Sequence, residues 1–452
     1  MALSSKKEID LLNGPVAETL IAFALPLFFA NLCQTAYNIV DMMIIGQVIG
    51  RTGLSGVSIG ADVSHLLLFA AMGLGNASQV LISQRIGAHD MGRVRTYIGT
   101  LLTVMAIVSI VASLTLFLLT PLALDLMNTP PEAYESASVY LVICLAGMPF
   151  MFLYNALCAV FRAFGNSKTP LSCMLVASIV NLVLDLLFIV VFGWGVAGAA
   201  TATILGQVVS FGMAFSHLTR NSDKYSFVAK RSNFKIDRAC LTSIVKLGIP
   251  MALQNASITF SKVFVNSWIN GYGVDVSAAT GVILRVSSIA HLYTGAVMMG
   301  SGVMIARACG ALNFERVKSI VKASTAITVS CSAVFVGIVV FAPATVYGFF
   351  TNETSVLSVC MEYVPVFVLE ITLMAFRVPM NALINGTAHG SMNLLVALLD
   401  GIAARIGLSL LLGLTFGLGY LGFWLGNALA GGVPIILGLA YLASGTWKNS
   451  AE

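Results

Sequence analysis

GAHDMGRV at residues 87–94 returns as GALNFERV at 310–317, 223 positions later. Two more blocks repeat at an offset of 224: ALP at 24–26 with GIP at 248–250, and VFGWGVAG at 191–198 with TFGLGYLG at 415–422. Asn31 and Thr35 likewise match Asn255 and Thr259. Three blocks in one order and nearly one register mark an internal duplication. The fold question becomes what each copy contains.

Composition answers it. The chain has 452 residues, 58% hydrophobic and 10% charged, with a mean hydropathy of +0.93. Soluble domains carry roughly 25% charged residues. Lipid is therefore the expected solvent, and only helices or closed barrels satisfy their own backbones there. Barrels would show alternating segments of about ten residues, whereas the apolar runs here are continuous and longer. Spanning helices of about 20 residues are expected near 17–45, 54–83, 94–123, 134–161, 169–192, 196–219, 240–271, 276–306, 318–343, 356–385, 391–416 and 419–443. The N-terminus lacks the short apolar core and small-residue cleavage site of a signal peptide, so the first helix is expected to be retained. Eight cysteines lie scattered, mostly in apolar runs and without a CxxC pair, and read as small hydrophobes rather than disulfides or metal ligands.

Basic residues set the orientation. Lys6 and Lys7, Arg85 with Arg93 and Arg95, Arg162 with Lys168, the stretch 220–238, Arg307 with Arg316, Lys318 and Lys322, and Lys448 fall in every second connection. The intervening connections collect Glu132, Glu135, Asp275 and Glu353. The positive-inside rule then places both termini in the cytoplasm. The expected architecture is an all-α integral membrane protein of twelve helices in two parallel six-helix repeats. Six is even, so the relating axis runs along the membrane normal. The lobes are 1–219 and 239–452, joined by a basic cytoplasmic linker, 220–238, which reads as a connector rather than a nucleic-acid surface. Two such lobes can rock about a central cavity, the machinery of alternating access.

Ionisable residues inside membrane helices are costly and call for a purpose. On helix 1, Gln34, Tyr37, Asn38 and Asp41 share one face, and on helix 5 Asn181 and Asp185 stand four apart. Thr201 and Thr203 add hydroxyls on helix 6. Facing carboxylates with amide and hydroxyl neighbours can share a proton, or hold Na⁺ among oxygen ligands. No Lys or Arg sits at that depth in these helices. By the 224 offset Asp41 becomes Val265, Asn181 becomes Arg405 and Asp185 becomes Ser409, so the acid pair belongs to the first lobe alone. The second lobe offers Lys262, Arg285 and Glu370 as cavity candidates. Glu370 with Arg377, and Asp400 with Arg405, read as structural pairs. His65 and His291 read as hydrogen-bonded packing residues. Pro26 and Pro250 occupy matched helix positions where each removes a hydrogen bond and permits a bend.

In ALPLFFANLCQTAYNIVDMMIIGQVIG at 24–50, SQRIGAHDMGRV at 83–94, VFRAFGNSKTP at 160–170 and the repeated GALNFERV, the chain resembles the multidrug and toxic compound extrusion (MATE) transporters, over almost its whole length. The resemblance implies secondary antiport: export of bulky, mainly cationic organic compounds in exchange for H⁺ or Na⁺. It also implies a cation or proton site at Asp41, Asn181, Asp185 and Thr203, with Gln34, Tyr37, Asn38 and Asn155 beside it, and a bend at Pro26. Na⁺, where it is the coupling ion, would be held by Asp41, Asn181, Asp185 and Thr203. Lys262 departs from members that carry an acidic site in helices 7 and 10, which argues against a second sodium site. The other reading is a flippase or exporter of lipid-linked precursors or anionic metabolites in the same superfamily, which Lys262 and Arg285 would suit. No GxxxxGK[ST] or HExxH occurs, and the GxSxG match GVSIG at 56–60 falls inside an expected spanning helix rather than at a strand-to-helix elbow, so neither an ATP-driven pump nor an enzyme is expected. No cofactor beyond the coupling ion, no nucleic acid and no obligatory protein partner are expected. The expected state is a monomer in the cell membrane.

Overall fold

The computed structural model describes residues 10–451; Lys6 and Lys7 of the orientation argument lie outside them. Among these residues, eleven helices are long and apolar enough to cross a membrane. They are α1 (Val16–Val48), α2 (Arg51–Gly87), α3 (Met91–Leu118), α4 (Pro131–Ala163), α5 (Lys168–Val191), α6 (Gly195–Arg220), α8 (Val274–Gly310), α9 (Phe314–Phe341), α10 (Thr354–Gly386), α11 (Gly390–Thr415) and α12 (Gly419–Ser444). The remaining long helix, α7 (Arg238–Asn270), has 33 residues and falls outside that set. Gln254, Asn255, Lys262 and Asn266 dilute its apolar run.

Proline trims two helices relative to the sequence expectation. α3 stops at Leu118 and α9 at Phe341, and short helices Thr120–Leu126 and Pro343–Gly348 follow, each with proline in its first turn. A proline there gives up an N–H that would be unpaired anyway, while inside a helix it would break the ladder.

The repeated sequence blocks adopt repeated local structure. Asp90 caps α3 by accepting from the Arg93 N–H at 3.0 Å, and Asn313 caps α9 by accepting from the Arg316 N–H at 3.1 Å. The residues before these caps, His89 and Leu312, have φ of +59° and +56°. α5 and α11 both finish in π-helical turns, Leu186–Val191 and Leu411–Thr415. Left-handed glycine pairs follow each: Gly193 and Gly195 at +67° and +55°, Gly417 and Gly419 at +68° and +59°. Such φ values are open to glycine without a Cβ penalty.

The chain divides into two compact units. One comprises 29–86 and 90–248, the other 10–28, 87–89 and 249–451. In the first unit α3 packs on α4, and α4 and α5 pack on α6. Its core gathers Tyr97, Phe152, Phe161 and Tyr225, together with Cys240 and Ile244 from the start of α7. The linker lies against α3, where Arg95 Nε donates to the Ser226 carbonyl at 2.9 Å and the Asp237 N–H donates to Thr100 Oγ1 at 3.2 Å. In the second unit α8 and α9 pack on α10, and α11 packs on α12. Gly426 makes the last pairing possible, because a Cβ there would fall 2.4 Å from the Ser409 nitrogen. Small residues of this kind let membrane helices approach closely. The first turns of α1 also belong to this unit, with Leu20, Phe23, Ala24 and Leu27 in one core with Val303 and Met304.

Outward faces are apolar. Phe341 is 91% exposed and Leu118 77%. Large exposed apolar side chains along every long helix are the signature of a surface that meets lipid. All eight cysteines are free.

Candidate functional site

α1 brings Gln34, Tyr37 and Asp41 to the inside of the first unit. Gln34 Nε2 donates to Asn38 Oδ1 at 3.3 Å, which aligns the two amides along the helix. α5 contributes Asn181 and Asp185, 2% and 0% exposed. α6 approaches α5 here through Gly206, where a Cβ would stand 3.3 Å from that of Asn181. The π-helical turn begins at Leu186, immediately after Asp185. Irregular turns of this type recur at functional sites, because they re-aim the side chains around them.

The Asp41 and Asp185 carboxyl groups face one another, and the Tyr37 hydroxyl lies beside that of Thr203. Thr203 Oγ1 donates to the Ala199 carbonyl at 3.0 Å and Thr201 Oγ1 to the Ala197 carbonyl at 2.7 Å. Each hydroxyl thereby spends its proton on its own helix and keeps an oxygen free to accept. Asp41 Oδ1, both Asp185 oxygens, and Asn181 Oδ1 and Nδ2 are buried without a hydrogen-bond partner among the described residues. No ion pair to either acid occurs among them. Native interiors satisfy nearly all such groups, so a cluster of unsatisfied ones calls for an explanation.

A cavity of about 40 Å³ lies against this cluster, with Gln34, Tyr37, Asn181 and Thr203 in its wall. That volume suits an ion or a water molecule rather than an organic compound, since one water needs about 10–15 Å³ on this measure. Asp41, Asp185, Asn38 and Asn155 stand outside the wall; Asn155 Nδ2 donates to the Met151 carbonyl at 2.8 Å. Four polar wall residues escaped sequence reasoning: Tyr154, Ser178, Gln207 and Ser210. Ser178 precedes Asn181 by three and Gln207 follows Thr203 by four, so helical spacing could have found both.

The second unit has its own cavity, about 240 Å³, between α7, α8, α10 and α12. Lys262 and Glu370 line it, whereas Arg285 is exposed and does not. Glu370 Oε2 accepts from the Tyr363 hydroxyl at 2.6 Å and from Ser287 Oγ at 3.3 Å. Arg377 therefore does not pair with Glu370, as their shared helix face suggests. It reaches Asp400 at 3.8 Å, and Arg405 holds the same carboxylate at 2.8 Å. His291 donates from Nδ1 to the Ser287 carbonyl at 2.9 Å.

A many-helix membrane chain that buries unsatisfied acids and an amide beside an ion-sized cavity has the build of a carrier. Comparison with known proteins agrees. The MatE family profile matches residues 26–187 and 250–400. The chain is similar to the probable multidrug resistance protein YpnP of Bacillus subtilis, 32% identical over 69% of each chain. It is also similar to the probable multidrug resistance protein YoeA of the same organism, 27% identical over 94% of this chain and 93% of the relative. Among solved structures, a MATE protein in a bent conformation superposes with a TM-score of 0.91 at 23% identity, over 99% of this chain and 100% of the other. The chain belongs to the MatE family, the multidrug and toxic compound extrusion transporters, whose members are ion-coupled antiporters.

Proposed function

We propose that this chain exports bulky, mainly cationic organic compounds across the cell membrane in exchange for H⁺ or Na⁺, by alternating access. The names of YpnP and YoeA, both probable multidrug resistance proteins, support the substrate class. α7 is the twelfth span: it is as long as α1 and α10, and its Lys262 and Asn266 line the second unit's cavity. The matched caps, π-helical turns and left-handed glycines support two parallel six-helix repeats, the lobes 1–219 and 239–452, and the basic residues in alternate connections support placing 220–238 and both termini in the cytoplasm.

Coupling resides in the first unit. The observation that carries this reading is the pair of half-buried Asp41 and fully buried Asp185, facing one another with unsatisfied oxygens and, among the described residues, no base to neutralise them. Two carboxylates so placed cannot both ionise cheaply. A proton shared between them, or Na⁺ held with Asn181 Oδ1, Thr203 Oγ1 and Tyr37, relieves the same energetic conflict. Loading and unloading the site would then shift the population of two conformations by its differential binding. Pro26, on the same helix as Asp41, supplies the point at which α1 can bend.

The test is efflux of a cationic dye from proteoliposomes under separate pH and Na⁺ gradients. Asp41→Asn should abolish gradient-driven efflux while the protein still inserts and elutes as a folded species. The gradient that drives the wild type identifies the ion. Full efflux by the variant would refute the coupling assignment.

A further inference from the structure

The second unit's cavity has the opposite character to the first unit's site. By the repeat register Asn38 corresponds to Lys262, Asp41 to Val265, Asn181 to Arg405 and Asp185 to Ser409. Acids are lost and bases gained at matched positions. We infer that this cavity binds a small organic monocarboxylate, its carboxylate on Lys262 and its apolar body against Trp424 and Ile283.

Three features support this. First, Lys262 has no hydrogen-bond or ion-pair partner among the described residues, although its side chain enters a cavity within a membrane protein. An ammonium group in such a place is expensive unless it is paired. Second, the acids of the neighbourhood are already engaged. Asp400 is held by Arg405 and Arg377, and Glu370 accepts two hydroxyl protons. With Lys262, Arg377 and Arg405 set against Glu370 and Asp400, the group keeps a net positive charge. Third, Asn427 presents a donor. Its Oδ1 accepts from Arg405 Nη1 at 2.5 Å, and arginine has only donors to offer, so the amide is fixed with its NH₂ on the other side. Asn427 and Lys262 both line the cavity, as do the hydroxyls of Thr280 and Ser288. A lining that combines these donors with Val265, Ile269, Ile283 and Trp424 suits a carboxylate attached to a small ring. About 240 Å³ accommodates such a molecule.

The experiment is calorimetric titration of the purified full-length protein with benzoate, benzamide and benzylammonium, three probes of one shape and different charge. Benzoate should bind saturably at millimolar concentration and at least about tenfold more tightly than benzamide, the difference made by one charge-assisted hydrogen bond. Benzylammonium should not compete. Lys262→Met should weaken benzoate by at least about tenfold, Lys262→Arg should retain it, and Glu370→Gln, which removes a repelling charge, should tighten it. Equal binding of benzoate and benzamide, no benzoate binding at all, or unchanged affinity in a folded Lys262→Met protein would each overturn the inference. The readout is equilibrium binding without a gradient, so it stands apart from the coupling site in the first unit.

Discussion

Substitution of Asp185 by asparagine should raise stability and remove function together. Asp185 is fully buried and neither carboxylate oxygen has a hydrogen-bond partner. A buried polar group left unsatisfied costs about 1–3 kcal/mol. An amide at this position has nearly the same shape and brings an NH₂ that can donate to Asp41, whose Oδ1 also lacks a partner. Where both acids are ionised, removing one member of the like-charged pair and supplying Asp41 with a donor should together contribute about 1–2 kcal/mol. At about 2–4 °C per kcal/mol for a chain of a few hundred residues, the thermal midpoint should rise by about 2–8 °C. Most substitutions at fully buried positions lower it. The midpoint is read in detergent by tryptophan fluorescence, and gradient-driven dye efflux is read in proteoliposomes from the same preparation. A fall in the midpoint would refute the account of the acid pair as unsatisfied. A raised midpoint with normal efflux would refute its part in coupling.

Arg405→Met leaves Asp400 buried with only the longer contact to Arg377, and should cost about 3–5 kcal/mol; thermal unfolding checks it, and Asp400→Leu in the same chain should recover most of the loss. Gly426→Ala places a Cβ against the Ser409 backbone and should destabilise by about 1–3 kcal/mol, seen as a lower midpoint with the cation site intact. Asp237, immediately before α7, accepts from the Cys240 N–H at 2.8 Å, and that bond holds its carboxyl below the usual aspartate range. Because the folded-state value is depressed, the cap is fully present above the ordinary aspartate value and is lost as the pH falls through the lowered one. Hydrogen exchange in the first turn of α7 should quicken over that window and should be insensitive to it in Asp237→Ala.

Much of this was legible in the chain, for identifiable reasons. Helical membrane structure follows from composition, because a bilayer leaves so few alternatives. The faces of α1 and α5 follow from a period of 3.6, which puts Gln34 with Tyr37 and Asn181 with Asp185, while their grouping with Thr203 came from the family resemblance. Periodicity cannot say which helix lies opposite. That is why Arg377 looked like the partner of Glu370 when Asp400, on another helix, lay nearer, and why Arg285 could not be told from a cavity residue. Nor does it register a π-helical turn, which changes the spacing after Asp185 without any glycine or proline to announce it. α7 shows the opposite case: the polar residues that lower its hydropathy include those lining the second cavity.

The assignment of α1 and α7 has a consequence for how such a protein can be divided. Leu20 and Phe23, early in the chain, sit in the core of the unit built mainly from residues after 249. Cys240 and Ile244 sit in the core of the unit built mainly from residues before 248. Cutting the chain within 220–238 would thus give two fragments, each missing a helical segment from its own interior and carrying one that belongs to the other. Neither should fold by itself, while the two produced together should recover the native fold.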